Sequence, residues 1–177
     1  MPQAESRSAT LRELAQTLIM ALLLALVIKA FVVETVQVDG PSMEPTLVTG
    51  QRLFINKVLY HLRPPATGDI VVFRYPSDPS RNFIKRAIAA PGQTVEIREG
   101  VVWVDEKPLH EPYVTNVSRD DYPRVTVPPG RLFVLGDNRA NSDDSRSADV
   151  GLVPLQNLKG KAFVRFWPLP EFAWMGR

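Results

Sequence analysis

Hydrophobic residues form one continuous run near the start of the chain and only short, interrupted runs after it. Residues 14–33 read LAQTLIMALLLALVIKAFVV, in which Lys29 is the one charged residue. Twenty residues of helix rise about 30 Å, the thickness of the hydrocarbon core of a bilayer. Leu, Ala and Met favour a helix, and no Gly or Pro interrupts residues 3–39. The pattern predicts a transmembrane helix over residues 14–33.

Two other interpretations compete for this segment. A cleavable signal peptide would account for Arg7 and Arg12 ahead of the apolar run, but the run is long and no small-residue cleavage site with a turn follows it. A buried helix of a soluble protein would carry a polar face, which this run lacks. We therefore expect an uncleaved anchor. Lys29, Arg52 and Lys57 balance the two arginines across the span, so only the short N-terminal tail favours a cytoplasmic N-terminus.

Beyond the apolar run, β-branched residues cluster in short stretches separated by Gly, Pro and Asp, which is typical of strands and turns. The predicted strands are Arg52–Val58, Asp69–Tyr75, Phe83–Ala89, Thr94–Arg98, Val101–Asp105, Arg131–Leu135 and Lys161–Trp167. Glu99-Gly100 between two of them predicts a two-residue hairpin turn. No segment after residue 40 has a convincing helical period.

These elements predict a mainly β protein in which a folded, barrel-like sheet follows the membrane helix. Residues 1–33 would form a short tail and the anchor, and residues 34–177 a β-rich catalytic domain. Residues 95–129 would form a small inserted β lobe.

Composition excludes several classes of function. Twenty-one Lys and Arg against 19 Asp and Glu leave no basic excess that would suggest nucleic-acid binding. The absence of Cys excludes a disulfide scaffold, a Cys nucleophile and thiolate metal sites. His61 and His110 are the only histidines, too few for a His-built metal site and a poor supply for a Ser-His-Asp triad. We therefore expect neither a metal nor another cofactor.

A proline-rich stretch, GPSMEPTL, follows the predicted membrane exit. Ser42 lies between Pro41 and Pro45, and the fixed φ angles of proline stiffen the backbone around it. That stiffness suits a reacting hydroxyl whose position must not change. Glu44 stands where the nucleophile elbow of α/β hydrolases has its second glycine, so the stretch is not that motif. Taken alone, a serine in a proline-rich turn is ordinary loop chemistry.

A second stretch places two cations side by side in a predicted strand. Strand alternation sets Phe83 and Lys85 on one face and Ile84, Arg86 and Ile88 on the other, so one cation must point toward an apolar side. Burial disfavours a charged amine, so a buried lysine becomes a general base near neutral pH, whereas arginine stays protonated. Lys85 is the candidate base, and a lysine that extends to the sheet edge is the alternative.

The third stretch is a polar run, residues 136–146 (GDNRANSDDSR), that follows the predicted strand Arg131–Leu135. Catalytic loops often begin at the ends of strands. A solvated loop and a cation site are the alternatives. The spacing departs from that of an EF-hand, which has Gly at its sixth and Glu at its twelfth position.

Together these stretches resemble the type I signal peptidase family, membrane-anchored serine proteases that remove signal peptides from exported proteins. The resemblance covers most of the chain. After the single anchor it is carried by Ser42-Met43-x-Pro45-Thr46-Leu47, Gly68-Asp69-Ile70-Val71, Lys85-Arg86 with Pro91-Gly92, and Gly136-Asp137-Asn138 with Ser142-x-Asp144-Ser145-Arg146. Each motif is weak alone, but their joint order and spacing after a membrane span are highly specific.

The resemblance implies a role for each matching residue. Ser42 would be the nucleophile and Lys85 the general base, with the hydroxyl of Ser142 orienting the lysine amine. Asp144 and Arg146 would form a supporting ion pair that shapes the loop. These roles agree with the chemistry, because a serine needs an adjacent base and a desolvated lysine can replace the histidine of a triad.

Gly40 marks a departure within the family pattern. The Ser42 backbone N–H is the expected first donor to the oxyanion of the tetrahedral intermediate. Some family members supply a second donor from a serine two residues before the nucleophile, and here that position is Gly40. The chain therefore resembles the glycine-containing branch, and the second donor is left open.

The sequence thus predicts a bacterial plasma-membrane protease, single-pass, with its catalytic domain on the outer face. Its expected partners are precursor proteins with small residues at the cleavage site, and membrane lipid; no nucleic acid is expected. Two alternatives remain: a peptidase of the mitochondrial inner-membrane type, and an anchored β domain that binds peptide or lipid without turnover. The aromatic C-terminal segment, Phe166–Trp174, either contacts the membrane interface or packs in the core.

Overall fold

The computed structural model describes residues 3–118 and 120–175, with side chains of the first helix from Arg12 onward. That helix, α1 (Gln3–Phe31), contains an apolar window, Arg12–Phe31, with a mean hydropathy of 2.2 and no residue buried inside the described chain. By length and composition α1 can cross a membrane. Its exposure removes the interpretation that it is a buried helix of a soluble core.

The helix ends two residues before the predicted end of the span. Val33 already belongs to the first strand, whose backbone pairs with a neighbouring strand instead of continuing the helix. The side chain of Lys57 closes the last turn, because its Nζ donates to the carbonyl of Ala30 at 2.9 Å. Only Val32 separates the end of α1 from the sheet.

Within the described residues the chain forms twelve strands and a one-turn helix, α2 (Leu59–Leu62). The strands are β1 (Val33–Gln37), β2 (Arg52–Asn56), β3 (Ile70–Tyr75), β4 (Asp78–Ala89), β5 (Thr94–Arg98), β6 (Val101–Val104), β7 (Lys107–Pro108), β8 (Tyr122–Thr126), β9 (Arg131–Leu135), β10 (Val153–Pro154), β11 (Leu158–Trp167) and β12 (Ala173–Trp174). Three 3₁₀ turns are present as well, at Arg139–Asn141, Leu155–Asn157 and Leu169–Glu171. The mainly β architecture predicted from the sequence, with an N-terminal apolar helix, is confirmed.

The strands form two antiparallel sheets. The larger has the order β1-β2-β11-β3-β4-β9-β10, with β12 added alongside β11. Strand β3 lies near its centre, and Val71, Val72 and Phe73 are fully buried. The smaller sheet has the order β7-β6-β5-β8 and occupies residues 94–126, a range that overlaps the predicted lobe 95–129. Its buried Val95, Ile97 and Val102 pack with residues of β4 and β9, which joins the two sheets in one core.

Turn chemistry follows the sequence, but several strand ends differ: β4 begins at Asp78 and not at the predicted Phe83, and β11 begins at Leu158 and not at Lys161. Glu99 and Gly100 both have positive φ, 50° and 78°, as a two-residue hairpin between β5 and β6 requires. Strand β2 ends at Asn56 and not at the predicted Val58, because the Asn56 side chain accepts the N–H groups of Val58 and Leu59 and starts α2. Strand β8 was not predicted from the sequence, since it is mostly exposed and its residues do not alternate between apolar and polar.

Candidate active site

The backbone around Ser42 is held in place by neighbouring residues that are buried in the hydrophobic core. Met43 and Leu47 are each 1% exposed and pack with Leu53 and Ile55 of β2. The amide of Leu47 donates to the carbonyl of Met43 at 2.9 Å, which closes a turn after the serine. Ser42 itself remains partly exposed and lines an open cleft. The core therefore fixes the segment and leaves the hydroxyl free to meet a substrate.

Lys85 approaches Ser42 from the middle of the larger sheet. It lies on β4, opposite Val71 of β3, and is 4% exposed. Its Nζ is 2.7 Å from Ser42 Oγ. Burial lowers the pKa of Lys85 to about 8, against the opposing effect of the nearby carboxylates, chiefly Asp144 and Asp143. A substantial fraction of this amine is therefore neutral near physiological pH, as a general base must be.

Both cations of the Lys85-Arg86 pair are buried, although strand alternation predicted that only one would point to an apolar side. Arg86 is 7% exposed and makes a forked ion pair with Asp137, whose carboxylate oxygens lie 2.8 and 2.6 Å from Nε and Nη2. Among the described residues, Lys85 has no carboxylate within ion-pair distance. Arg86 is thus a neutralised cation that stabilises the site, whereas the charged form of the Lys85 amine is destabilised.

Ser142 reaches the site without the hydrogen bond predicted for it. Its Oγ is buried beside Ser42 and has no hydrogen-bond partner in the part of the chain that the structure describes. Ser142 and Lys85 both line the cleft. An unpartnered buried hydroxyl is costly, so this group has a free donor and acceptor at the place where the lysine amine and the substrate would meet.

Asp144 and Arg146 form the ion pair expected of them. Asp144 is fully buried, and its oxygens lie 2.8 and 2.9 Å from Nε and Nη2 of Arg146. The same carboxylate accepts the amide of Gly136 at 3.0 Å, and Arg146 donates to the carbonyl of Arg139 at 2.7 Å. The pair thereby connects the beginning, middle and end of the 136–146 loop and gives it a fixed shape.

Gly136 is a position where a side chain would not fit. A Cβ atom there would lie 2.5 Å from the carbonyl oxygen of Ser42 and 2.6 Å from Ser142 Cβ. Only glycine lets the loop pass this close to both serines. Gly40 also lines the cleft, with a φ of +86° that favours glycine. No side chain at residue 40 supplies a second oxyanion donor.

The cleft has a volume of about 580 Å³ and three walls. One wall is residues 37–43, the second is residues 81–85 of β4, and the third is residues 140–143. Ser42 lies on the first wall and Lys85 on the second. Within the described residues no group of three His, Cys, Asp or Glu side chains lies close enough to hold a metal ion.

Several residues around the site escaped the sequence analysis. Asp137 was noted only as part of a motif, and its partnership with Arg86 follows from the rule that a buried arginine needs a carboxylate. Glu111, Tyr113 and Asn116 also contact the site. They lie in an irregular segment between β7 and β8, where no periodicity or motif distinguishes them.

Comparison with known proteins identifies the family of this chain. The family model described as signal peptidase, peptidase S26, matches residues 11–167. A probable signal peptidase I-1 of a Synechocystis strain is 45% identical, over 90% of this chain and 84% of that protein. A signal peptidase I of Leptolyngbya laminosa is 40% identical, over 99% of this chain and 87% of its own length.

A solved structure of an Enterococcus faecalis signal peptidase I is 32% identical with a TM-score of 0.49, and it covers 56% of this chain and 97% of its own. The family assignment rests on the sequence matches, which extend from the apolar helix through the last long strand. The chain therefore belongs to the signal peptidase family, peptidase S26, and is a serine endopeptidase of the signal peptidase I type.

Proposed function

We propose that this chain cleaves signal peptides from precursor proteins with Ser42 as the nucleophile and Lys85 as the general base. One observation carries the proposal: a buried lysine amine lies 2.7 Å from a serine hydroxyl at the floor of an open cleft. A nucleophile and a base within hydrogen-bond reach are the geometric signature of covalent catalysis. Ser-Lys pairs are an established variant of the serine protease mechanism.

The reaction begins with the amine neutral. Ser42 donates its proton to Lys85 Nζ while Oγ attacks the scissile carbonyl carbon, and the carbonyl oxygen becomes an oxyanion that accepts a hydrogen bond from the Ser42 backbone N–H. The tetrahedral intermediate collapses when the Lys85 ammonium returns the proton to the departing amine. The signal peptide is then esterified to Ser42. A water molecule, deprotonated by Lys85, hydrolyses the ester and restores both groups.

Four further residues would support this pair without reacting. Ser142 is proposed as the hydroxyl that orients the Lys85 amine, a role supported by its unpartnered Oγ at the cleft. Asp144 and Arg146 are proposed to hold the loop that carries Ser142, through the ion pair already described. Gly40 would keep the cleft wall open beside the nucleophile.

The proposed substrates are precursors with small residues at the cleavage site. This expectation follows from the family resemblance, and it is supported by a cleft wall that has Gly40 next to the nucleophile. An extended substrate segment beside β4 would place its scissile carbonyl within reach of Ser42. The catalytic unit proposed here is residues 34–177, with residues 95–129 as its smaller lobe.

The relatives and the apolar helix are consistent with membrane anchoring. We propose a single-pass bacterial plasma-membrane protein with the catalytic domain on the outer face, in contact with lipid. Trp167, Phe172 and Trp174 support the lipid contact, since 48%, 54% and 73% of their surfaces are exposed. They lie on or beside β11 and β12, and Trp167 is level with Arg52 of β2 and Gln37 of β1, at the end of β1 away from the anchor. Exposed aromatic residues of this kind favour the membrane interface.

The test of the proposed function combines product analysis with active-site labelling. The full-length chain in detergent is incubated with a precursor carrying Ala at positions −1 and −3, and the new N-terminus is sequenced. In parallel, an electrophilic acylating probe is added and the modified residue is identified by mass spectrometry. We expect a single cut after the −1 residue and a label on Ser42. An intact precursor, or a label on another serine, would contradict the proposal.

The pH profile tests the role of Lys85. Because the neutral amine is the active form, kcat/KM should rise with pH through the lysine pKa of about 8 and then level off. On the acidic side it should fall by about tenfold per pH unit. Asp143 raises the lysine pKa, so Asp143→Asn is expected to move the midpoint to lower pH. The substrate should carry no titratable group near the cut. A profile that is flat from pH 6 to pH 10 would rule out Lys85 as the base.

A further inference from the structure

The irregular segment of the smaller lobe crosses over the 136–146 loop, called the catalytic loop from here on. Residues 111–116, here called the strap, lie between β7 and β8 and make polar contacts with the catalytic loop and with β4. We propose that the strap is a positioning element, in which Asn116 and Glu111 set the geometry of the nucleophile and of the loop beside it. This inference rests on the proposed function of Ser42.

The first link runs from Asn116 to Ser42 through one side chain. Asn116 Nδ2 donates to Asn138 Oδ1 at 2.8 Å. The Nδ2 of the same Asn138 donates to the carbonyl of Pro41 at 3.1 Å, and its backbone N–H donates to the carbonyl of Ser42 at 3.0 Å. Both ends of the Asn138 amide are therefore occupied, which fixes its orientation. Asn116 does not contact Ser42 itself. It orients Asn138, which in turn binds the backbone carbonyls of Pro41 and Ser42.

A backbone contact strengthens this link. The amide of Ala140 lies 3.3 Å from the carbonyl of Asn116 and donates to it. Ala140 belongs to the 3₁₀ turn Arg139–Asn141, which directly precedes Ser142. The strap thus meets the catalytic loop through both the side chain and the backbone of Asn116, at Asn138 and at Ala140.

The second link runs through a buried ion pair. Arg139, with 4% of its side chain exposed, lies against Glu111, with 10% exposed, and the Nη1–Oε2 distance is 2.9 Å. Arg139 Nε also donates to the carbonyl of Gly136 at 3.0 Å. A buried guanidinium without its carboxylate is strongly unfavourable. Glu111 therefore fixes the side chain of Arg139. That side chain extends from the 3₁₀ turn back to Gly136, which packs against Ser42.

A third contact reaches the strand that carries the base. The ring of Tyr113 lies under the Arg86 guanidinium, with a 3.8 Å distance from Cζ to the ring centroid. The Tyr113 hydroxyl donates to Glu111 at 2.8 Å. The strap therefore contacts Arg86, the chain neighbour of Lys85, and Asn138, which binds the Ser42 backbone. It contacts neither reacting side chain itself.

A purely structural role for the strap would predict a different distribution of contacts. The smaller lobe is already joined to the larger sheet by its apolar core, in which Val95, Ile97 and Val102 pack with Ile88 and Phe133. The polar contacts of the strap add nothing to that core and go instead to residues that surround the nucleophile. Loss of the Asn116 contacts should therefore change the rate of reaction more than the stability of the lobe, whereas loss of the Glu111 carboxylate should lower both, because it leaves Arg139 buried without its partner.

The experiment compares Asn116→Ala and Glu111→Gln with a matched control, Val117→Ala, in the full-length chain in detergent. Val117 directly follows the strap, and 61% of its surface is exposed. Active sites are counted by stoichiometric labelling with the acylating probe, and kcat is expressed per labelled site. We expect kcat to fall about 10- to 100-fold in Asn116→Ala and Glu111→Gln, because small displacements of a nucleophile are costly. KM should change less than about threefold, and Val117→Ala should match the unmodified chain.

Two further measurements separate positioning from folding. If Asn116 acts through Asn138, the double variant Asn116→Ala/Asn138→Ala should be no slower than Asn138→Ala alone. Glu111→Asp, which keeps the carboxylate, should recover part of the activity lost in Glu111→Gln. A structural role would instead lower the melting temperature and the labelled fraction while kcat per labelled site stayed the same, and that outcome would overturn the proposal.

The proposed function has its own control in the same series. If Ser42→Ala keeps activity, the assignment of the nucleophile fails whatever the strap variants do. If Ser42→Ala is inactive while Asn116→Ala and Glu111→Gln behave like Val117→Ala, only the inference about the strap fails.

Discussion

Ser42→Ala is expected to lower kcat by about 10⁵- to 10⁶-fold, the size of loss seen when a protease nucleophile is removed. The change deletes one oxygen atom that projects into the cleft. The backbone of the segment is held independently, by the buried Met43 and Leu47 and by the amide contact from Asn138. The variant should therefore fold normally, and its melting temperature should stay within a few degrees of that of the unmodified chain.

Ser80→Ala is the matched control for this loss. Ser80 is an exposed serine on β4 whose hydroxyl donates to Asp78 at 2.7 Å, and it does not line the cleft. Its removal should leave cleavage unchanged. Precursor cleavage is measured under single-turnover conditions, so that slow residual activity is visible. Activity in folded Ser42→Ala above about one per cent of normal would refute the assignment.

Lys85→Met is expected to lower kcat about as much as Ser42→Ala does. It should also remove the free-energy cost of burying the lysine charge. Without a base the Ser42 hydroxyl is a weak nucleophile. The lysine amine is 4% exposed and has its pKa lowered to about 8 by burial, so its charged form is unfavourable in the folded chain. Methionine fills a similar volume with no charge to bury. We therefore expect activity to collapse while the melting temperature stays the same or rises.

Two companion variants make this prediction specific to proton transfer. Lys85→Ala leaves a space beside the Ser42 hydroxyl that a small primary amine such as methylamine can enter, so added amine should restore part of the cleavage in a pH-dependent manner. Residues that act as a unit are not additive. The double variant Ser42→Ala/Lys85→Met should thus be no less active than either single variant. Normal cleavage by Lys85→Met would exclude Lys85 from the chemistry.

Local setting made Ser42 and Lys85 candidates, and the family resemblance is what singles them out as the proposed nucleophile and base. Ser42 stands between prolines, and Lys85 lies in a strand whose alternation forces a cation toward apolar neighbours. Burial of Arg86 as well as Lys85 was not predictable from alternation, because it depends on Asp137, which is 51 residues away in the chain and meets Arg86 only when β4 and β9 pair. Local pattern indicates that one cation of the pair is buried, but not that the other is buried as well, nor which carboxylate neutralises it.

The strap shows where sequence reasoning ends. Glu111 and Asn116 lie in a polar, irregular segment, and nothing in their neighbours separates them from solvated loop residues. Their roles arise from the path of the chain over the catalytic loop, a tertiary feature. Strand β8 escaped prediction for a related reason, since it is an edge strand stabilised by pairing with β5 and not by its own apolar pattern. Elements with little buried surface leave little trace in the hydrophobic pattern.

The junction between α1 and β1 has a consequence for where a substrate can be cut. A single residue separates the helix from a strand that is hydrogen-bonded into the sheet, and Lys57 fastens the last turn to the next strand. The anchor is therefore not joined to the β domain by a flexible linker that would let the domain move away from it. A five-residue strand spans about 17 Å, so on the proposed function β1 holds the nucleophile segment at a fixed distance from the end of the anchor. The height of the scissile bond above the lipid would then be as much a part of substrate selection as the residues that flank it.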